Sequence, residues 1–85
     1  MKYICTRSES GVEEVFTFHS SIRHDDMAGV LERIKRPDGL GGWESGYRTP
    51  ISAGFVTSSG KCFGRSESLN LDSRPEDTEL LRSQL

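Results

Sequence analysis

Two periodicities divide the chain. Lys2–Thr6 sets Tyr3, Ile4 and Cys5 in strand-favouring company, and Val12–His19 carries the β-branched and aromatic run Val15-Phe16-Thr17-Phe18. Between them, Arg7-Ser8-Glu9-Ser10-Gly11 has turn composition, so the two runs read as a hairpin. Alternation puts Phe16 and Phe18 on one face and Val15 and Thr17 on the other, which nominates the two phenylalanines for the core. The period then changes. Met27, Val30, Leu31 and Ile34 fall at the three- and four-residue steps that make one stripe of an amphipathic helix. Asp25 and Asp26 lie where a helix N-terminus favours carboxylates, and Arg33, Lys35 and Arg36 where its C-terminus favours cations. Pro37 ends the helix, because proline drives its predecessor out of the helical region.

From Pro37 to Pro50 no period is usable, and the glycines at 39, 41, 42 and 46 make the stretch pliable. A loop of this length in so small a domain is functional or disordered more often than merely connecting. Ile51–Ser58 returns to strand composition, Ser59-Gly60 supplies a turn, and Lys61-Cys62-Phe63-Gly64 opens a partner strand. Ser73 with Glu76 three residues on fits a capping box, and Leu80, Leu81 and Leu85 give the helix that follows an apolar patch. The order is β-β-α-β-β-α. The expected fold is α+β: a four-stranded, mainly antiparallel sheet with two helices on one face, burying their stripes against Phe16, Phe18, Phe55 and Phe63. The other sheet face is then free for a partner, a second copy of the chain (a homo-oligomer) included.

Eighty-five residues make a single small domain spanning 1–85, with the glycine-rich loop at 37–50. Leu, Ile, Val and Phe together number 19 of 85 residues, only just above the roughly 20% below which disorder is expected, so the core is thin. Eleven basic residues against 13 acidic give a net charge of −2 and no basic stripe, which argues against duplex nucleic acid. No apolar run approaches the ~18–20 residues needed to span a bilayer. The first residues meet a charge before an apolar region develops, so no secretory signal is expected and the setting reads as cytoplasmic. Cys5 and Cys62 read as buried free thiols.

Candidate chemistry is sparse. Arg7-Ser8-Glu9-Ser10 recurs as Arg65-Ser66-Glu67-Ser68. In the second copy, Gly64 allows close backbone approach, Arg65 offers a planar fork for phosphate or carboxylate, and Ser66 and Ser68 add hydroxyls. The competing reading is a strand edge with alternating exposed polar residues. In the loop, Trp43, Tyr47 and Arg48 are the residue types enriched at binding hot spots; alternatively Trp43 plugs the core. His19, His24, Asp25 and Asp26 lack any recognised metal-ligand spacing, and helix capping accounts for the aspartates. No phosphate loop, nucleophile elbow or zinc-protease helix occurs, so neither a cofactor nor an enzymatic activity is expected.

The runs Ile51-Ser52-Ala53-Gly54-Phe55-Val56, Gly60-Lys61-Cys62-Phe63-Gly64-Arg65-Ser66-Glu67-Ser68-Leu69 and Leu71–Leu81 resemble an uncharacterised family of short phage- and prophage-encoded proteins. The resemblance covers roughly Arg48 to Leu81 and carries no catalytic residues. It implies a small accessory protein in the host cytoplasm, acting stoichiometrically in counter-defence. Two modes of action fit. In the favoured one, the protein sequesters a small anionic, nucleotide-like ligand, using the Trp43/Tyr47/Arg48 loop, Gly64–Ser68 and Arg74. In the other it is a protein inhibitor that docks its carboxylates on a basic surface of a host enzyme or defence complex.

Overall fold

The computed structural model describes residues 1–32, 36–37, 43–44 and 48–84, of which 36–37 and 43–44 are described as backbone. Strands β1 (Lys2–Arg7) and β2 (Glu13–Phe18) form the expected hairpin, paired antiparallel from Lys2↔Phe18 to Arg7↔Glu13. Helix α1 (His24–Leu31) follows, then a two-residue ladder in which β3 (Arg36–Pro37) pairs with β4 (Trp43–Glu44). Strand β5 (Thr49–Val56) pairs antiparallel with the free side of β1, and β6 (Cys62–Phe63) pairs with β5. A short hairpin of β7 (Arg65–Ser66) and β8 (Leu71–Asp72) leads into α2 (Pro75–Gln84). The result is an α+β fold built on a four-stranded antiparallel sheet of order β2-β1-β5-β6, with two helices.

The helices lie on opposite faces of the sheet, not on one. Tyr3 and Cys5 of β1 join Val15, Cys62 and Leu81 of α2 in one apolar cluster. Ile4, the residue between them, joins Phe18, Ala53, and Ala28 and Leu31 of α1 in another. The cause is β1 itself: Tyr3, Ile4, Cys5 and Thr6 are all buried, so the central strand needs cover on both sides. Full burial of an aliphatic side chain such as Ile4 contributes about 1.5–3 kcal/mol, and the thin core is spread across two layers.

Other expectations change for related reasons. The buried stripe of α1 is His24, Ala28 and Leu31, with Met27 half-buried and Val30 53% exposed. The helix stops at Leu31, with Glu32 as its C-cap, and the backbone is extended at Arg36. The basic residues therefore lie outside its last turn; Arg33, Ile34 and Lys35 fall outside the described residues. Helix α2 starts one residue later than the Ser73/Glu76 spacing predicts. Pro75 takes the first helical position, and Asp77, not Glu76, reaches back to accept from the Arg74 backbone N–H at 3.0 Å. Phe18 is core, whereas Phe63, on a two-residue outer strand, rests against the Phe55 ring and stays 46% exposed.

Candidate functional site

The register that joins β1 to β5 builds a cleft at the start of β1, on the α1 side of the sheet. Lys2 sits opposite Phe18 on one flank and Phe55 on the other, so these three side chains share a face. The N-terminus of α1 brings Arg23 and His24, and the β7–β8 hairpin brings Arg65, Glu67 and Ser68. Together Lys2, Arg23, His24, Phe55, Arg65, Glu67 and Ser68 line a space of about 500 Å³.

The interior is aromatic. The His24 ring stands edge-on to Phe18 and to Phe55, with centroids 5.5 and 5.8 Å apart. Its Nε2–H donates to the Gly54 carbonyl at 2.9 Å; a carbonyl only accepts, so the proton sits on that nitrogen. Two glycines allow this packing. A Cβ on Gly54 would lie 2.3 Å from the Phe63 carbonyl oxygen, and Gly64, at φ +79°, passes so close to Phe55 that a Cβ would meet the ring at 3.1 Å.

The rim is cationic. Lys2 Nζ donates to the Ile22 carbonyl at 2.9 Å, and Arg23 forks onto Asp25 with two bonds of 3.0 Å. Arg65 donates to Asn70 Oδ1 at 2.6 Å, while its carboxylate neighbours Glu67 and Asp72 stand off at 3.6 and 3.8 Å. Glu67 and Asp72 are 88% and 79% exposed, so water screens both pairings and an incoming anion displaces them at little cost.

The nominated residues separate into distinct roles. Arg65 and Ser68 line the cleft, and Gly64 supports its Phe55 wall. Ser66 is fully buried and shapes the β7–β8 turn, its Oγ accepting from the Leu69 N–H at 3.2 Å. Arg48 is buried elsewhere, bonded to Glu14 at 3.2 Å and placed over the Phe16 ring at 5.6 Å. The side chains of Trp43 and Tyr47 lie outside the described residues. Sequence reading missed Lys2, Arg23, His24 and Phe55 as partners of Arg65, because the long-range β1–β5 pairing and the packing of α1 bring them together; Glu67, two residues from Arg65, lies in the repeated tetrapeptide but was not nominated.

Arg74 belongs to a different constellation, beneath α2. Its guanidinium bonds Asp77 Oδ1 at 2.8 and 3.0 Å, Glu13 Oε1 at 2.9 Å and Cys5 Sγ at 3.5 Å. The Tyr3 hydroxyl donates to Asp77 Oδ2 at 2.5 Å. Burial opposes charge on Asp77, but the Tyr3 hydroxyl and Arg74 outweigh it and hold the carboxyl below its ordinary range. Glu13 is lowered by its bonds to Arg74 and Arg7. Burial, reinforced by the Asp77 charge, pushes the Cys5 thiol up to about 11 and keeps the Tyr3 phenol protonated. With every charge paired and the thiol neutral, this is a fold-stabilising network.

The tetrapeptide repeat has a structural explanation. Each copy sets an arginine opposite a carboxylate across the hairpin, Arg7↔Glu13 at the end of β1 and Arg65↔Asp72 at the start of β7. In each copy the first serine is buried and its hydroxyl accepts a turn amide, from Val12 in one case and Leu69 in the other. Recurrence of one hairpin-turn solution suffices without duplication. The first copy borders a smaller cleft of about 390 Å³, lined by Arg7, Ser8, Glu9, Thr49 and Ile51. There Arg7 is already bonded to Glu13 at 2.9 Å.

Among the described residues, no group of three His, Cys, Asp or Glu side chains is gathered to hold a metal ion, and no helix is long and apolar enough to cross a membrane. The chain matches no protein-family model, no curated protein and no solved structure.

Proposed function

We propose that this is a small phage-type accessory protein that works by stoichiometric binding, taking up a small anionic, nucleotide-like ligand in the Lys2/Arg23/Arg65 cleft and so withdrawing it from a host signalling or defence pathway. One observation carries the reading: two exposed arginines, Arg23 and Arg65, and the half-buried Lys2 surround a cleft whose wall is the half-buried Phe55 ring. That pairing suits a flat base against the aromatic wall and a phosphate on the rim. A volume of about 500 Å³ lies within the ~300–1,000 Å³ usual for small-molecule sites. Ser68 adds a hydroxyl beside Arg65 for a phosphate or sugar oxygen.

Native mass spectrometry of the protein purified directly from its host cells, compared with its denatured mass, tests this proposal. The expected result is excess mass that disappears on denaturation and is absent from Arg65→Ala. A bare chain that also fails to retain nucleoside phosphates added in excess would overturn it. That outcome would favour the protein-inhibitor mode, in which the carboxylate-rich surface meets a basic host protein.

A further inference from the structure

Among the described residues, one side chain bonds the open edge of the outer strand β2. Gln84, in the last turn of α2, accepts from the Val15 N–H through Oε1 at 2.7 Å and donates to the Val15 carbonyl through Nε2 at 2.8 Å. A carboxamide is a peptide group in miniature, so Gln84 makes at Val15 the two bonds that a neighbouring antiparallel strand would make. These contacts point away from β1, and by the two-residue period the peptide groups of Glu13 and Thr17 point the same way. An unguarded strand edge is a template for pairing with another chain, and the opposite outer strand, β6, is only two residues long.

We infer that Gln84 is the plug that keeps β2 from strand addition, and that the strand it excludes is β2 of a second copy. Antiparallel pairing of two β2 strands about Val15 is self-complementary, as a two-fold interface requires. It sets Glu13 against Thr17 of the other copy and Glu14 against Phe16, so no carboxylate faces a carboxylate. Glu13 is in any case drawn toward Arg74 and Arg7, and does not guard the edge by charge. Among the described residues, what stands in the way is the Gln84 carboxamide.

Two variants test this, Gln84→Ala and the similarly long but apolar Gln84→Met. Both keep Asp77, Thr78 and Leu81, which anchor α2 to the sheet. Sedimentation equilibrium over a concentration series is combined with amide exchange at Val15. The expected result is a doubling of mass relative to wild type in both variants, with the Val15 amide fast to exchange at the dilute end and protected at the concentrated end. An unchanged mass would overturn the inference, whether the Val15 amide is exposed or still protected. So would a doubled mass with Val15 exposed throughout, which would put the new contact elsewhere.

Discussion

Arg65 and Arg74 are nine residues apart in sequence, and the fold gives them opposite tasks. Arg74 is three-quarters buried and held by a fully buried carboxylate, a second carboxylate and a thiol. Arg65 is 44% exposed and meets its carboxylates only at 3.6 and 3.8 Å. The difference lies in the partners. A buried arginine with short, saturated contacts organises the fold, whereas an exposed arginine with long, screened contacts beside an aromatic cleft has capacity left for a ligand.

The sharpest way to break the comparison is Asp77→Ala. It leaves the Arg74 charge and the Tyr3 hydroxyl without their main partner and is expected to cost about 3–5 kcal/mol in urea denaturation. A loss below about 1 kcal/mol would demote the network to an ordinary surface pairing. Wild type should feel the same weakening in acid. Asp77 and Glu13 titrate lower folded than unfolded, so their contribution is present above the ordinary carboxylate pKa and is lost as pH falls through the lowered values.

Gly54→Ala comes next, with an expected loss of about 1–3 kcal/mol, since its Cβ would press on the Phe63 carbonyl and pry β6 from β5. A melting temperature equal to wild type would show that β6 yields freely. Arg65→Ala should change stability by less than about 0.5 kcal/mol while weakening the binding of a nucleoside phosphate at least about tenfold, read by calorimetric titration. The smallest expected effect is on the alkaline side. Cys5 rises from its ordinary 9 to about 11, and Tyr3 is also raised, so stability is complete below the unfolded values and declines as pH climbs through the folded ones. In Cys5→Ala the decline should be shallower, with Cys62, whose thiol burial also raises, and Tyr3 carrying what remains.

Much of this fold was legible because it is local. The β1–β2 hairpin and the onset of α1 follow from composition and period. The two-sided sheet had a signal too, since Tyr3-Ile4-Cys5 is an uninterrupted apolar run, the mark of a strand covered on both faces. Read instead for its strand propensity, it left both helices on one face. The cleft was half legible: Arg65 and Ser68 were found from glycine context, but Lys2 and Phe55 meet through a pairing 53 residues apart in sequence that no local pattern encodes. Arg74 was read as a ligand residue because its type suits phosphate; its partners Glu13 and Asp77 are an ordinary strand residue and an ordinary helix-start residue until the chain folds.

The most direct test of the central contrast is a ¹⁵N NMR titration with adenosine mono-, di- and triphosphate, following backbone amides on both faces of the sheet. Saturable shifts at Lys2, Phe55, Arg65 and Ser68, with Tyr3, Arg74 and Asp77 unmoved, are the predicted result. Shifts centred on Arg74 and Asp77, or no saturable shift with any of the three, would contradict the account.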